Sequence, residues 1–354
     1  MTAPAGHPAE HGQAAEHWEP LEGGAVRCAL CPHECRVAPG KAGLCRARVN
    51  LEGRLIAATY GRVSITCMDP IEKKPLYHFM PGRAILSLGS LGCNFRCRFC
   101  QNWNISQDGA DAAGGLAAVE RLERLSPEEA VALAGRRGSC GIAYTYNEPL
   151  IWFEYVRDAA RLARAKGLAN VLVTNGFANE APLAELLEVA DAFNIDVKGD
   201  DAFYQRLCGG RLEPMRRTAE AAAKRGAHVE VTHLVIPGEN DGAGAFEEIA
   251  KWVAGSLGPA TPAHLSAYFP RYELGAPPTP PETLLEAREV FSKHLSFVYL
   301  GNVMLAEGSD TVCPKCGALC VKRRGYETST LGLTEGGRCA ACGAGLNMRM
   351  APGR

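Results

Sequence analysis

Long apolar runs are missing from this chain. No stretch of about 18 apolar residues occurs, so no helix is available to cross a bilayer. An excess of either charge is missing too: 38 Lys and Arg face 39 Asp and Glu, a formal net charge of −1. That excludes a nucleic-acid surface built on the field of the whole protein and leaves room only for a local patch. Aromatic residues make up 7% of the chain, and few lie near its cysteine pairs, which counts against a base-gripping module. The first 24 residues lack an apolar signal core and a basic start. They read as a disordered leader, not a targeting signal, and the expected location is the cytoplasm.

Cysteine, by contrast, is abundant, with 15 residues. Most fall in C-x2-C or C-x3-C pairs on a long chain, which points to metal binding in a reducing compartment and away from disulfides. The most informative group is Cys93, Cys97 and Cys100, spaced C-x3-C-x2-C directly after the apolar run Ala84–Leu88. Thiolates hold iron–sulfur clusters, normally four to a cubane. Three in one short loop hold three irons and leave one open, and an open metal position separates a catalytic site from a structural one.

Two further groups flank this loop. Cys28, Cys31, Cys35 and Cys45 suit either a tetrahedral zinc site or an auxiliary iron–sulfur cluster, with His33 a fifth candidate. Asn-Leu-Glu-Gly, within Arg48–Ile56, predicts a hairpin turn. Near the other end, Cys313, Cys316, Cys339 and Cys342 form two C-x2-C-G knuckles. Such pairs make a zinc ribbon or a rubredoxin-like site holding zinc or iron. Cys67, Cys140 and Cys208 have no partner at ligand spacing and read as core thiols. Cys320 is left over. Lys322, Arg323 and Arg324 read as a solvated loop, and His264 as a structural histidine.

Between the flanking groups, apolar strands alternate with helical segments. Strands are expected at Ala84–Leu88, Gly141–Thr145, Asn170–Thr174, Ala192–Val197, His228–Ile236, His264–Tyr268 and Phe297–Leu300. Continuous apolar runs of this kind are those of parallel strands covered on both faces. Ser126-Pro-Glu-Glu129 is a capping box, Ile151–Lys166 an amphipathic helix stopped by Gly167, and Thr279-Pro-Pro-Glu282 another helix start. The class is α/β with a parallel sheet. Ligands gather at the carboxyl ends of such strands, which singles out Asn147, Glu148, Asn175, Asp196, Lys198 and His233. Asp69–Phe79, charged and holding two prolines, reads as a solvated loop. The expected division is a leader at 1–24, a Cys-rich lobe at 25–80, a core at 81–305 and a metal-binding module at 306–354.

Together, Cys28-Ala-Leu-Cys31-Pro-His33, Asp69–His78, Gly92–Trp103, Tyr144–Pro149, Gly301-Asn-Val303 and the terminal knuckles resemble the radical SAM (S-adenosylmethionine) component of the AmmeMemoRadiSam system. The resemblance implies a partial (β/α)6 barrel and a [4Fe-4S] cluster on Cys93, Cys97 and Cys100. It implies a 5′-deoxyadenosyl radical that abstracts hydrogen from a substrate. It places Phe99 near the adenine, Glu148 at the cofactor's amino group, Asn175 at its ribose or carboxylate and Lys198 at its carboxylate. Here Tyr146-Asn147 replaces the family's Gly-Gly. MEMO-class and AMMECR-class proteins are the implied partners, with a flavodoxin or ferredoxin as the one-electron donor. Two alternatives stand beside this reading. One is a glycyl-radical activating enzyme like that of pyruvate formate-lyase, against which Val173 replaces a frequent Asp. The other is a zinc-ribbon RNA-binding protein.

Overall fold

The computed structural model describes residues 12–107, 116–303, 305 and 308–351. Its centre is an eight-stranded sheet. We label the strands β1 (Ile65–Pro70), β2 (Ala84–Gly89), β3 (Gly141–Tyr144), β4 (Ala169–Thr174), β5 (Ala192–Asp196), β6 (His228–Val235), β7 (Ala263–Ala267) and β8 (Val298–Gly301). They lie side by side in chain order. β2 through β8 are parallel, and β1 pairs antiparallel with β2 at one edge. The seven parallel strands fall on the apolar runs expected from sequence. The helices that follow β3 to β7 are α1 (Phe153–Ala165), α2 (Glu180–Leu187), α3 (Leu212–Lys224), α4 (Ala243–Trp252) and α5 (Pro281–Ser292). Because the strand order never reverses, right-handed crossovers put the helices on one face and the carboxyl ends of all seven strands at one rim.

The local signals hold with one exception. Ser126 forms its capping box, with the Glu129 amide on Ser126 Oγ at 3.2 Å and the Ser126 amide on the Glu129 carboxylate at 2.7 Å. Arg48–Leu51 and Arg54–Ala57 pair as the expected hairpin, turning on Glu52 and Gly53, both at positive φ. Thr279, however, does not cap α5. Its hydroxyl donates to the Val235 carbonyl (2.6 Å) and accepts from the Tyr268 amide (2.7 Å), tying two strand ends together.

Three expectations need correction. The leader is shorter than 24 residues within the described chain. Gln13–Ala14 pairs with Ile56 and Ala57, and Trp18–Pro20 pairs with Val26–Cys28. The Glu16 carboxylate takes two 2.7 Å hydrogen bonds from Arg157. Residues 1–11 lie outside the described residues. The triplet at 322–324 is not a solvated loop but the end of the strand Leu319–Arg324, with Arg323 buried. The Arg323 guanidinium lies 4.1 Å from the Tyr77 ring centroid and donates to the Tyr77 carbonyl at 2.7 Å.

The third correction is the largest. Asp69–Phe79 is mostly buried, with Lys73 exposed, because each of its buried charges meets a partner. Asp69 accepts from Lys73 (2.9 Å), Lys74 (2.7 Å) and the Tyr146 hydroxyl (2.5 Å). Asn194 on β5 donates to the Pro75 carbonyl at 2.8 Å. The Glu230 carboxylate on β6 accepts from the amides of Tyr77 (2.9 Å) and His78 (2.7 Å), and pairs with His228 (2.9 Å) and His264 (2.7 Å). His264 is thus structural, as expected. The segment covers the sheet face away from the helices and fastens the C-terminal module to it.

His78 makes that fastening. Its Nδ1 donates to the Leu346 carbonyl at 2.8 Å, so its Nε2 accepts from the Tyr299 hydroxyl at 2.5 Å, and the ring is neutral. Burial holds His78 down at about 3. A histidine depressed in the folded state stabilises above its unfolded value near 6.5, and that contribution drains away as pH falls toward the folded value. The thermal midpoint therefore drops more steeply between pH 6.5 and 4 in the native chain than in His78→Gln. Parallel slopes in calorimetry would contradict this.

Candidate active site at the carboxyl ends of the strands

The loop after β2 lies over the strand ends and is held by its neighbours. Asn147, just past β3, accepts from the Ser90 amide and donates to the Gly92 carbonyl, both at 3.0 Å. Gly92 sits at φ +87°, and a Cβ there would lie 2.1 Å from the Cys45 carbonyl oxygen. A Cβ on Gly210 would lie 2.2 Å from the Phe95 ring. Only glycine permits both approaches. The Arg96 and Arg98 amides donate to the carbonyls of Cys208 (2.7 Å) and Leu207 (2.9 Å).

This holds three thiols at the rim. Cys93 Sγ accepts from the Phe95 amide at 3.3 Å and lies 3.8 Å from Asn175 Nδ2. Cys100 Sγ lies 3.1 Å from Ser106 Oγ. Cys97 is buried and shares a hydrogen bond with Cys208. Burial pushes the Cys93 and Cys100 thiols up, whereas at Cys97 the bond to Cys208 is the larger cause and burial the second. A donor set of three sulfurs, with backbone N–H and amide groups directed at them, fits an iron–sulfur cluster.

The next strand ends converge on these thiols. Glu148 is buried, and its carboxylate accepts from Thr174 Oγ1 (2.6 Å) and the amides of Asn175 (2.8 Å) and Leu150 (3.0 Å). Burial pushes Glu148 up to about 7, against the lowering effect of those three donors. Glu148 thereby orients Asn175, whose Nδ2 donates to Asn94 Oδ1 at 2.8 Å and whose Oδ1 accepts from the Phe177 amide at 2.9 Å. After β5, Lys198 Nζ pairs with Asp196 at 2.9 Å and lies 5.7 Å from the Phe99 ring centroid.

Phe99, Asn147, Glu148, Asn175, Asp196 and Lys198 thus belong to one rim. Two of the sequence expectations change. The Asn147 side chain positions the loop through both its oxygen and its nitrogen. The His233 side chain faces the helices, packed on Phe246 and Phe291, and its Nδ1 donates to the Val197 carbonyl at 2.7 Å. Burial holds it neutral, down at about 4. It is a core residue because strand alternation turns 231, 233 and 235 outward while 230 and 232 turn inward. Asn94 and Cys208 were not singled out by sequence. Cys208 is buried as expected, but its contact with Cys97 spans more than a hundred positions, and no spacing signals that.

The C-terminal thiols gather more tightly. Cys313, Cys316, Cys339 and Cys342 all offer sulfurs within 4.8 Å of one another, with Cys313–Cys342 at 3.6 Å and Cys316–Cys339 at 3.7 Å. A tetrahedron with metal–sulfur bonds of about 2.3 Å has edges of about 3.8 Å. The four therefore fit a single tetrahedral ion. Cys320 stays outside the set, donating to the Ala318 carbonyl. Cys28, Cys31, Cys35 and Cys45 line a cavity of about 20 Å³ in the N-terminal lobe.

Known proteins resemble parts or all of this chain. A family profile described as "Radical SAM superfamily" matches residues 88–253. An uncharacterized protein of Methanocaldococcus jannaschii is 42% identical over 337 residues, spanning 94% of this chain and 98% of that protein. Pyruvate formate-lyase 1-activating enzyme of Escherichia coli K12 is 30% identical over 154 residues, spanning 42% of this chain and 60% of the enzyme. A solved radical SAM methyltransferase from Sphaerobacter thermophilus aligns with a TM-score of 0.48 at 17% identity, over 63% of this chain and 67% of that one.

Proposed function

Since this chain belongs to the radical SAM superfamily, we propose that it cleaves S-adenosylmethionine reductively and directs the resulting radical at a substrate over the strand ends. Cys93, Cys97 and Cys100 would hold a [4Fe-4S] cluster. When bound, that cluster supplies one electron to the sulfonium, whose C–S bond breaks to methionine and a 5′-deoxyadenosyl radical. One observation carries the reading: three thiols on the loop after the first parallel strand share a rim with Glu148, Asn175 and Lys198 at the ends of the next three, and Asn175 Nδ2 lies 3.8 Å from Cys93 Sγ.

The chain's own residues then do the following. Lys198, paired with a partly exposed Asp196, offers its ammonium to the methionine carboxylate. Phe99, buried against Phe203 with ring centroids 5.7 Å apart, keeps water from the cluster and gives the adenine an apolar wall. Glu148 holds Asn175 in place beside Cys93 and puts negative charge near the methionine ammonium. Asn147 and Gly92 fix the path of the cluster loop. Lys198→Ala is expected to raise the KM for S-adenosylmethionine roughly tenfold or more, the value of one charge-assisted bond, with kcat changed less. An unchanged KM would remove Lys198 from the cofactor site. Binding itself is tested by electron paramagnetic resonance of the reduced protein. S-adenosylmethionine is expected to change the cluster signal, because Cys93, Cys97 and Cys100 would leave one iron free for it.

The wider reading follows the family resemblance. The sheet curls as a partial (β/α)6 barrel, MEMO-class and AMMECR-class proteins are partners, and a flavodoxin- or ferredoxin-class protein donates the electron. The C-terminal knuckles hold zinc or iron as a structural ion, and the setting is the cytoplasm. Among the described residues no helix is long and apolar enough to cross a membrane. A second reading is favoured by the likeness to pyruvate formate-lyase activating enzyme. It makes the substrate a backbone glycine, and a stable protein radical on a candidate glycyl-radical enzyme decides for it.

A further inference from the structure

We propose that the N-terminal lobe carries a second iron–sulfur cluster, held by Cys28, Cys31, Cys35 and Cys45 and packed against the loop of the first. The four sulfurs converge on one cavity, which His33 and Asn94 also line. Their spread argues against a single ion. Among the described residues, the ligand sets lying within 4.8 Å are the four C-terminal thiols and the trio Glu16, His17 and Glu185; the N-terminal sulfurs are not among them. One zinc draws its sulfurs to about 3.8 Å, as the C-terminal module shows. A polynuclear cluster gives each thiolate its own iron and keeps the sulfurs apart. Cys93, Cys97 and Cys100 are likewise absent from the tight sets.

The backbone supplies a second, independent observation. The Leu44 amide donates to Cys35 Sγ at 3.5 Å. The Phe95 amide serves Cys93 Sγ of the first loop in the same way, at 3.3 Å. Such bonds stabilise thiolate over thiol. The sulfurs of Cys67 and Cys320 behave in the opposite way, donating to the carbonyls of Met68 and Ala318. His33 is not a ligand through Nε2, because that atom donates to the Asn94 carbonyl at 2.7 Å.

The two sites touch. Asn94 lines the N-terminal cavity and is bonded in the chain to Cys93, and the Cys45 carbonyl rests where a Cβ of Gly92 would be. Four thiolates on four irons leave no open corner, so this cluster binds no S-adenosylmethionine. It suits a carrier that takes one electron from a reduced flavodoxin- or ferredoxin-class donor and passes one to the first cluster, its own state restored. That role rests on the proposed function; the site does not.

The test is metal and acid-labile sulfide per full-length chain, after anaerobic reconstitution with iron and sulfide. Two cubanes give about eight sulfides, one gives about four, and a rubredoxin-like C-terminal iron adds none. The triple variant Cys93→Ala, Cys97→Ala, Cys100→Ala keeps about four sulfides and a reduced-state paramagnetic signal that S-adenosylmethionine does not alter. In Cys28→Ser with Cys31→Ser the sulfide falls by half while the signal sensitive to S-adenosylmethionine persists. About four sulfides in the native chain that Cys28→Ser with Cys31→Ser leaves in place, or zinc in the N-terminal lobe, overturns the proposal. So does a triple variant that folds by circular dichroism yet holds no sulfide. If the signal sensitive to S-adenosylmethionine is absent while the native chain still carries sulfide that Cys28→Ser with Cys31→Ser removes, the proposed function fails and the N-terminal cluster stands.

Discussion

Replacing Cys97 by alanine is expected to abolish 5′-deoxyadenosine formation from S-adenosylmethionine. Cys97 is the middle of three thiols, it is buried at 8% exposure, and no other cysteine stands ready to replace it. Its neighbour Cys208 is the nearest candidate, but that thiol is fully buried, and the carbonyls of Cys208 and Leu207 hold the adjoining backbone against Arg96 and Arg98. A cubane left with two thiolates in this loop does not persist. The loss is therefore complete, not partial, and iron falls with activity. The matched control is Cys67→Ser. Cys67 donates its proton to Met68 and Asp69, so that variant keeps both iron and product. Product from Cys97→Ala at more than a few per cent of the native rate would mean that another loop carries the cluster.

Glu230→Ala is expected to cost about 3–5 kcal/mol of stability, the range for removing one partner from a buried ion pair. Although burial pushes its carboxylate up, hydrogen bonds from His228 and His264 hold it well below the usual range. Removal leaves the amides of Tyr77 and His78 without their acceptor as well. Each buried donor so stranded costs about 1–3 kcal/mol. Because His78 in turn holds Leu346 and Tyr299, the C-terminal module loosens with the sheet. Denaturant unfolding measures the loss, and limited proteolysis shows earlier cleavage within 308–351. Glu230→Gln keeps two acceptor positions' worth of shape on one oxygen and loses less. A loss under about 1 kcal/mol in Glu230→Ala would show that the network is not what joins these parts.

How legible the site was depended on sequence distance. The cluster loop and the parallel strands were readable because their signals are local: cysteine spacing in one case, apolar runs bounded by turns in the other. Glu148, Asn175 and Lys198 were readable because strand ends in an α/β sheet share a rim. The burial of Asp69–His78 was not, since its remaining polar groups are met by Tyr146, Asn194, Glu230 and Arg323, each far along the chain. His233 failed for a related reason. Alternation decides which way a strand residue faces, and without the sheet the inward register of β6 was unknown. Asn94, flanked by obvious cysteines, gave no sign that it also reaches the N-terminal lobe.

Anaerobic product analysis shows directly whether this chain cleaves S-adenosylmethionine. The reconstituted protein is mixed with S-adenosylmethionine and dithionite, alone and with MEMO-class and AMMECR-class proteins, and 5′-deoxyadenosine is quantified by mass spectrometry. Product is expected from the native chain and none from Cys97→Ala, with a rise wherever a partner presents the substrate. Intact cluster with no 5′-deoxyadenosine under any of these conditions would contradict the proposed function.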